Sequence, residues 1–359
     1  MRVFVEGKFA HAYQRKRRMP LIFEDKADFQ NLFVDITPWP KSRNRLVFRL
    51  GRQELLYGKQ RLVSSFDWAN VMRTFDGARV MLSVPGNDED LWQIDGWWAR
   101  LVQISNDGWN DTDENTQFFG IYAAHTGSSP SGYDFYALGF SGDERINPDG
   151  NMGTDTHMTF GGRFWCKQYQ PWDFEVEAAW QTGRFAGDTT NAWMVALESG
   201  YTCKDLPASP RFSLGYEFAS GDSSPTSGSV GTFNQLFPLG HAFLGYIDVV
   251  GRQNIHAVHG RLDLKPIKKL KAWAQFYSFW TVQDKDALYN AGGAAIRRDL
   301  TAGSGSHVGV ELDLAVKYQL DHHSAFLGGY SHFWPGNFIQ GTGPDEPIDF
   351  VYLQYQFTF

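Results

Sequence analysis

Phe350-Val351-Tyr352-Leu353-Gln354-Tyr355-Gln356-Phe357-Thr358-Phe359 closes the sequence with a regular alternation of apolar and polar side chains. One face of an extended chain would carry Val351, Leu353, Tyr355, Phe357 and Phe359. The opposite face would carry Gln354, Gln356 and Thr358. Because successive side chains point to opposite faces of a strand, this pattern predicts an amphipathic β-strand.

The same alternation recurs along the whole chain, most clearly in residues 173–184, 211–218 and 308–320. In the first of these, Phe174, Val176 and Trp180 oppose Glu175 and Glu177. The pattern predicts about sixteen strands. They are expected at 2–13, 27–37, 44–52, 75–84, 91–104, 116–126, 133–141, 156–167, 172–184, 191–203, 210–220, 252–264, 268–282, 306–319, 324–334 and 348–359.

The polar faces of these strands favour a barrel with a wet interior. They carry small, aromatic and mixed-charge residues, whereas the solvent face of a soluble sandwich is usually rich in lysine. Since no window of about 18 apolar residues occurs, any membrane crossing must be by strands. We therefore expect one transmembrane antiparallel β-barrel domain over residues 1–359. A barrel enzyme and a soluble β-sandwich carbohydrate-binding protein are the alternatives.

The connections differ in length. Residues 265–268 and 168–171 are predicted to be tight periplasmic turns, while 105–115, 142–155, 221–251 and 283–305 are predicted to be outer loops or loops folded into the lumen. The Ser/Gly/Pro-rich run 220–231 is interpreted as a mobile loop.

Composition and charge exclude several classes of protein. A hydrophobic fraction of 42% over 359 residues excludes a disordered chain. The net charge of −7 disfavours nucleic acid as a partner, and the basic run Arg15-Lys16-Arg17-Arg18 is predicted to be a solvated turn. Cys166 and Cys203 are too few for a disulfide framework; they could form a single bridge or remain two free thiols.

Two further features carry a resemblance. The terminal aromatic strand resembles the assembly signal of bacterial outer-membrane barrels. A run resembles a segment of the alginate export family: Arg45-Leu46-Val47-Phe48-Arg49-Leu50-Gly51-Arg52-Gln53-Glu54-Leu55, then Tyr57-Gly58, Gln60-Arg61-Leu62, Asp67-Trp68 and Arg73-Thr74-Phe75-Asp76-Gly77-Ala78-Arg79. Residues 174–180, 237–245 and 254–266 are similar to later parts of that family, so the resemblance covers nearly the whole chain.

The resemblance implies a bacterial outer-membrane barrel of about eighteen strands that passes polyuronate through a lumen narrowed by loops and lined with arginines. It also implies that the first two strands and a signal peptide are missing here, so that Met1 would mark a misassigned start codon or a fragment boundary. A closed barrel of about sixteen strands is the other possibility.

Pore-lining residues are predicted from strand parity and from the family-like run. The eight candidates are Arg49, Arg52, Arg61, Arg79, Arg100, Arg163, Arg261 and Lys317. A guanidinium is permanently charged and binds carboxylates bidentately, which suits a polyanion moving through successive weak contacts. Arg52 has the apolar parity of its strand and could meet the lumen only at the strand's end. For each arginine, pairing with a lumenal acid is the alternative role.

The cargo is less defined than the channel. The parity also turns Glu175, Glu177, Glu217, Glu311 and Asp313 inward, so an anionic saccharide, a neutral saccharide and a small organic solute all remain open. The expected partners are outer-membrane lipid, this solute and periplasmic export machinery. No catalytic residues, metal or cofactor are predicted: the acidic run 111–115 lacks the glycine and distal glutamate of a calcium loop, and His322-His323 with His332 is not interpreted as a metal site.

Overall fold

The computed structural model describes residues 1–13, 21–86, 90–105, 108–127, 130–167, 171–224 and 228–359. The basic run Arg15 to Arg18, most of the predicted turn 168–171 and part of the predicted loop 220–231 therefore lie outside the described residues.

The described residues are almost entirely β-structure. The strands are β1 Arg2–Ala10, β2 Asp25–Ile36, β3 Arg45–Gln53, β4 Phe75–Pro85, β5 Leu91–Gln103, β6 Asp111–Thr126, β7 Ser131–Ile146, β8 Met152–Cys166, β9 Trp172–Phe185, β10 Asp188–Thr202, β11 Arg211–Ala219, β12 Ser229–Val230, β13 Ile255–Ile267, β14 Leu270–Thr281, β15 Ala287–Tyr289, β16 Ala295–Arg298, β17 His307–Gln319, β18 Ser324–Pro335 and β19 Ile348–Phe357. One short α-helix, α1, spans Asn337–Thr342, and 3-10 turns span Leu21–Phe23 and Gly240–Ala242.

Sixteen of the described strands have nine or more residues, and each coincides with a predicted strand. The three short ones, β12, β15 and β16, lie in the long connections. No helix in the described part of the chain is long and apolar enough to cross a membrane.

Three predicted connections have different bounds. Strand β6 begins at Asp111, so the acidic run 111–115 is the start of a strand rather than a loop. Strand β7 continues to Ile146 and β8 starts at Met152, which leaves only five residues of the predicted loop 142–155. Polar pairs such as Arg145 with Thr116 and Thr154 with Asp143 extend these ladders beyond the apolar pattern on which the prediction rested.

The predicted turn 265–268 is also displaced. Strand β13 continues through Pro266 to Ile267, and the turn is Lys268-Lys269. The register shifts between Leu264 and Ile267, so the proline lies in a bulge, where its missing N–H costs no ladder hydrogen bond.

Two compact units divide the chain. The first comprises Met1–Arg163, Trp180–Thr190 and Gln235–Leu239, and the second comprises Phe164–Ala179, Asn191–Asn234 and Gly240–Phe359. In the first unit, β1 to β7 pair in sequence order as an antiparallel sheet. In the second, the antiparallel order is β10, β11, β13, β14, β17, β18 and β19.

Each sheet has two contrasting faces. The polar face of the first unit carries Asp35, Arg49, Arg79, Asp95 and Asp134, and its apolar face carries exposed Leu32, Leu50, Val80, Trp98 and Ile121. In the second unit the polar face carries Arg261, Gln275, Glu311, Asp313 and Ser331. Its apolar face carries exposed Leu214, Val258, Phe276, Leu314 and Leu353. Exposed large apolar side chains opposite a polar face are typical of strands that contact lipid.

Leu353 lies near the middle of β19 and is 80% exposed on the apolar face. We expect Leu353→Arg to destabilise the folded protein in lipid vesicles by about 2–4 kcal/mol, because a charge would then face the bilayer core. Urea unfolding monitored by Trp fluorescence measures this. The matched control is Gln354→Arg on the adjacent, opposite-facing position, which should change stability by less than about 1 kcal/mol; equal effects of the two variants would contradict the assignment of faces.

Candidate polar pathway

Three predicted arginines on the strands of the first unit lie on the polar face, each beside an aspartate. Arg49 Nε and Nη2 donate to the two carboxylate oxygens of Asp35 at 2.7 and 3.0 Å. Arg79 Nε donates to Asp95 Oδ2 at 3.0 Å, and its Nη2 contacts the same oxygen. Arg163 Nε donates to Asp134 Oδ2 at 2.8 Å. These side chains are only 12–17% exposed, so their charges are largely compensated by the neighbouring carboxylates.

An aromatic column fills the space between these pairs. Tyr57 stacks on Trp97 and on Tyr122 with ring centroids 4.7 and 4.8 Å apart, and Tyr122 stacks on Tyr136 at 5.4 Å. The Tyr57 hydroxyl donates to Asp95 at 3.0 Å, and the Tyr122 hydroxyl donates to Asp134 at 2.7 Å. Burial raises the pKa of Tyr57 well above its ordinary value, so the phenol remains a donor. The column therefore connects two ion pairs into one network.

Tyr57 belongs to the long connection 54–74 between β3 and β4, which folds over the polar face. Residues 235–239 lie alongside it: Ser64 N donates to Phe237 O at 2.8 Å, and Phe237 N donates to Leu62 O at 2.9 Å. The Phe237 ring packs against Phe118 at 4.9 Å and Phe75 at 5.1 Å. Apolar packing and backbone hydrogen bonds thus hold this connection on the sheet.

Arg73 lies at the end of this connection and differs from the paired arginines. Its Nη1 donates to the carbonyls of Ser64 at 3.1 Å and Pro238 at 3.4 Å. Its guanidinium carbon is 5.3 Å from the Phe66 ring centroid and 5.4 Å from that of Phe237. Within the described residues no carboxylate pairs with it. Burial lowers the pKa of Arg73 to about 10, which leaves it charged at neutral pH.

In the second unit, Arg261 is also paired. It donates to Asp263 at 2.7–3.0 Å and to Gln275 at 3.2 Å, and its guanidinium carbon is 5.2 Å from the Trp273 ring centroid. Lys317 has the same parity as Glu311 and Asp313 but is exposed near the end of β17. The polar face therefore carries both signs of charge here as well.

Arg100 is on the opposite face from the one predicted. Asp95, Trp97 and Ala99 are buried on the polar face, which places Arg100 with exposed Trp98 on the apolar face. Arg100 shares the parity of Trp98, and the β5–β6 register shifts directly after it, where a segment of β6 opposes a shorter segment of β5. Arg100 is 3.5 Å from Glu114.

Two other candidates, Arg52 and Arg61, do not lie on the polar face of a strand. Arg52 shares the face of Leu50, as its parity indicates, and at the end of β3 it donates to Asp76 at 2.9 and 3.0 Å and to the carbonyl of Asn110 at 2.9 Å. Arg61 is buried within the 54–74 connection rather than on a strand. The structure therefore brings Arg49, Arg79 and Arg163 together with the connection that contains Arg61 and Arg73, while Arg52 and Arg100 lie apart.

Strand parity could not find Arg73 or Tyr57, because neither is on a strand. The signal that could have found Arg73 is its place in the family-like run, next to Thr74-Phe75-Asp76. Among the described residues no group of three or more His, Cys, Asp or Glu side chains has the arrangement of a metal site. Cys166 and Cys203 are both free.

The comparisons with known proteins agree on one class of protein. The family model described as alginate export matches residues 1–350. Three solved structures from Pseudomonas aeruginosa share the fold at low identity: OccK11 (OpdR), with TM-score 0.52 and 13% identity, OccK8 (OprE), with 0.54 and 10%, and the outer membrane protein OprD, with 0.53 and 12%. The matches cover 88, 92 and 87% of this chain and 78, 80 and 75% of theirs. No curated protein matches the sequence.

These matches confirm the predicted fold and compartment. The chain has the antiparallel transmembrane β-barrel fold of outer-membrane porins, and a soluble β-sandwich is the wrong alternative. Its place is the bacterial outer membrane, and its function is that of a channel for export or diffusion.

Proposed function

Because the chain belongs to the alginate export family, we propose that it conducts an anionic saccharide, such as alginate, or a related small anionic solute passively across the outer membrane. The proposal treats residues 1–359 as one channel-forming domain. Outer-membrane lipid surrounds it, and periplasmic export machinery delivers a polymeric substrate.

The single observation that carries the anionic cargo is the charge of Arg73, which is paired with no carboxylate in the described part of the chain. Arg49, Arg79 and Arg163 are each matched by an aspartate, so together they add little net charge to the polar face. Arg73 has only carbonyl and ring contacts, and its Nε and Nη2 make no hydrogen bond to described residues. Those two nitrogens form the edge with which a guanidinium binds a carboxylate bidentately.

The surroundings of Arg73 favour a weak and reversible contact. The carbonyls of Ser64 and Pro238 fix Nη1, so the side chain loses little additional freedom when an anion arrives. A single cation binds a carboxylate loosely enough for the anion to leave. Conduction needs this balance between entry and release.

The paired arginines have a different role in this proposal. They hold the wall and the 54–74 connection in place through Asp95, which accepts from both Arg79 and Tyr57. A channel for a neutral saccharide would need no unpaired cation. Against the alternative of a barrel enzyme, the family and the solved structures of similar fold are channels and porins.

Planar-bilayer recordings of the purified, refolded protein test the proposal. We expect a preference for chloride over potassium, and a reversible reduction of the current when oligouronate is added at submillimolar concentration. A neutral oligosaccharide of the same length is the matched control and should reduce the current less. Equal effects of the two oligomers, or a preference for potassium, would exclude the anionic assignment and favour a neutral saccharide.

A further inference from the structure

Two buried carboxylates stand next to each other on the polar face of the second unit. Glu311 and Asp313 are two residues apart on β17 and therefore point to the same face. Both residues have no measurable exposure. Two negative charges enclosed this closely repel each other and lose their hydration, so something must compensate them.

Three basic side chains near this pair lie against other acids, while a fourth, His259, packs on Tyr277 with ring centroids 5.4 Å apart. Arg252 contacts Glu217, Arg261 donates to Asp263, and His241 Nδ1 lies 3.3 Å from Asp248. Glu311 Oε1 accepts from the backbone N–H of Ile247 at 3.0 Å. Glu311 Oε2 and both carboxylate oxygens of Asp313 make no hydrogen bond of ordinary geometry within the described residues.

Two hydroxyls face the same carboxylates. Tyr277 is directly opposite Glu311 in the β14–β17 ladder, and Ser331 is directly opposite Asp313 in the β17–β18 ladder. Directly opposed residues on one face have Cβ atoms about 4.5–5.5 Å apart. Both residues are fully buried, and neither hydroxyl has a hydrogen-bond partner of ordinary geometry within the described residues. Five buried oxygens that lack a hydrogen bond of ordinary geometry therefore lie together here, with Ser331 and the Tyr246 backbone close enough to interact with Asp313.

We propose that Glu311, Asp313, Tyr277 and Ser331 form a binding site for one divalent cation, with calcium as the preferred ion. Calcium accepts mixed carboxylate, hydroxyl, carbonyl and water oxygens in flexible geometry, so two carboxylates suffice if neutral oxygens complete the shell. Its two positive charges neutralise both acids at once. Magnesium, which demands a near-ideal octahedron, fits a strand-built site of this kind less well.

The ion would also fix the loop above it. Gly245, with a φ of +91°, brings its backbone so close to Glu311 that an added Cβ would lie 2.5 Å from the carboxylate, and the next residues supply the Ile247 N–H bond. A bound cation would neutralise Glu311 without a proton, so the carboxylate would still accept the hydrogen bond from the Ile247 N–H. The site thereby couples an ion to the position of residues 245–247.

Terbium luminescence tests the site, because Tb³⁺ replaces calcium and is excited through a nearby tyrosine. The refolded protein, freed of metal with EDTA, should show saturable Tb³⁺ emission excited at tyrosine wavelengths, which calcium displaces and magnesium displaces at least tenfold less well. Asp313→Asn should weaken terbium binding at least tenfold. Asp263→Asn, which removes a carboxylate bound to Arg261, is the matched control and should leave it within about twofold.

Tyr277→Phe keeps both carboxylates and removes one hydroxyl, so it remains informative if Asp313→Asn fails to fold. It should reduce both the emission and the calcium affinity. In parallel, calcium should raise the thermal unfolding temperature of the wild-type protein, with half-saturation at the concentration that displaces terbium. A folded wild-type protein without saturable terbium emission, or one stabilised by low pH but not by calcium, would overturn the proposal and indicate a proton shared by Glu311 and Asp313. Neither result bears on the anion selectivity assigned to Arg73.

Discussion

Replacing Arg73 with alanine lowers the ratio of chloride to potassium permeability about fivefold. A unit charge about 4 Å from a passing anion contributes about 1 kcal/mol in a water-like medium, and this energy corresponds to a factor of about five. Arg73 should have this effect because no carboxylate of the described residues cancels its charge. Reversal potentials in a salt gradient across a planar bilayer measure the ratio directly.

Two controls separate a local charge from a general loss of structure. Arg73→Lys keeps the charge but loses the bidentate edge, so it should retain most of the chloride preference while weakening the block by oligouronate. The double variant Arg49→Gln with Asp35→Asn removes a complete ion pair and should leave the permeability ratio within about twofold. If that double variant lowers the ratio and Arg73→Ala does not, the paired arginines carry the selectivity.

If Arg73 carries the chloride preference, this preference should depend on pH. Burial lowers the pKa of Arg73 to about 10, and a guanidinium loses its positive charge as pH rises through its pKa. The chloride preference of the wild-type channel should therefore be constant from pH 6 to pH 8 and decline as pH approaches 10. Arg73→Ala should remove the part of this decline that the guanidinium causes.

The sixteen long strands were predictable because their alternation is a local property with a period of two. The strand that contains Arg100 was predicted correctly but the face of Arg100 was not, since Arg100 shares the parity of exposed Trp98 and the β5–β6 register shifts directly after it. The alternation also ends before the strands do: β6 and β7 extend through polar residues such as Asp111 and Arg145, which pair beyond the apolar stripe.

The candidate site was predictable only in part, for a related reason. Parity indicates that Arg79 and Arg163 point to the polar face, but it contains no information on which acid each will meet across neighbouring strands. Arg73 and Tyr57 take their positions from a loop, and that loop is held by residues 235–239, far away in sequence. Such contacts depend on tertiary packing, which no local pattern encodes.

Arg79 is the position where we expect the largest loss of stability. Asp95 is 2% exposed and accepts from Arg79, Tyr57 and Gln93. Arg79→Ala would leave this carboxylate buried without a cation, and breaking a buried pair from one side costs about 3–5 kcal/mol. Because Arg79 itself is 14% exposed, water can enter, and we expect a loss of about 3 kcal/mol in urea unfolding in lipid vesicles.

Removing both charges should recover much of this loss. In the double variant Arg79→Ala with Asp95→Asn, the amide can still accept from the Tyr57 hydroxyl, so stability should return to within about 1–2 kcal/mol of wild type. Arg43→Ala is the surface control: Arg43 is exposed, donates to the carbonyls of Pro85 and Gly86, and its replacement should change stability by less than about 0.5 kcal/mol. The Tyr57 bond also links the pair to the 54–74 connection, so Arg79→Ala should speed proteolysis between residues 54 and 74. A folded Arg79→Ala protein with wild-type stability and an equally protected connection would show that Tyr57 and Gln93 alone compensate the charge of Asp95.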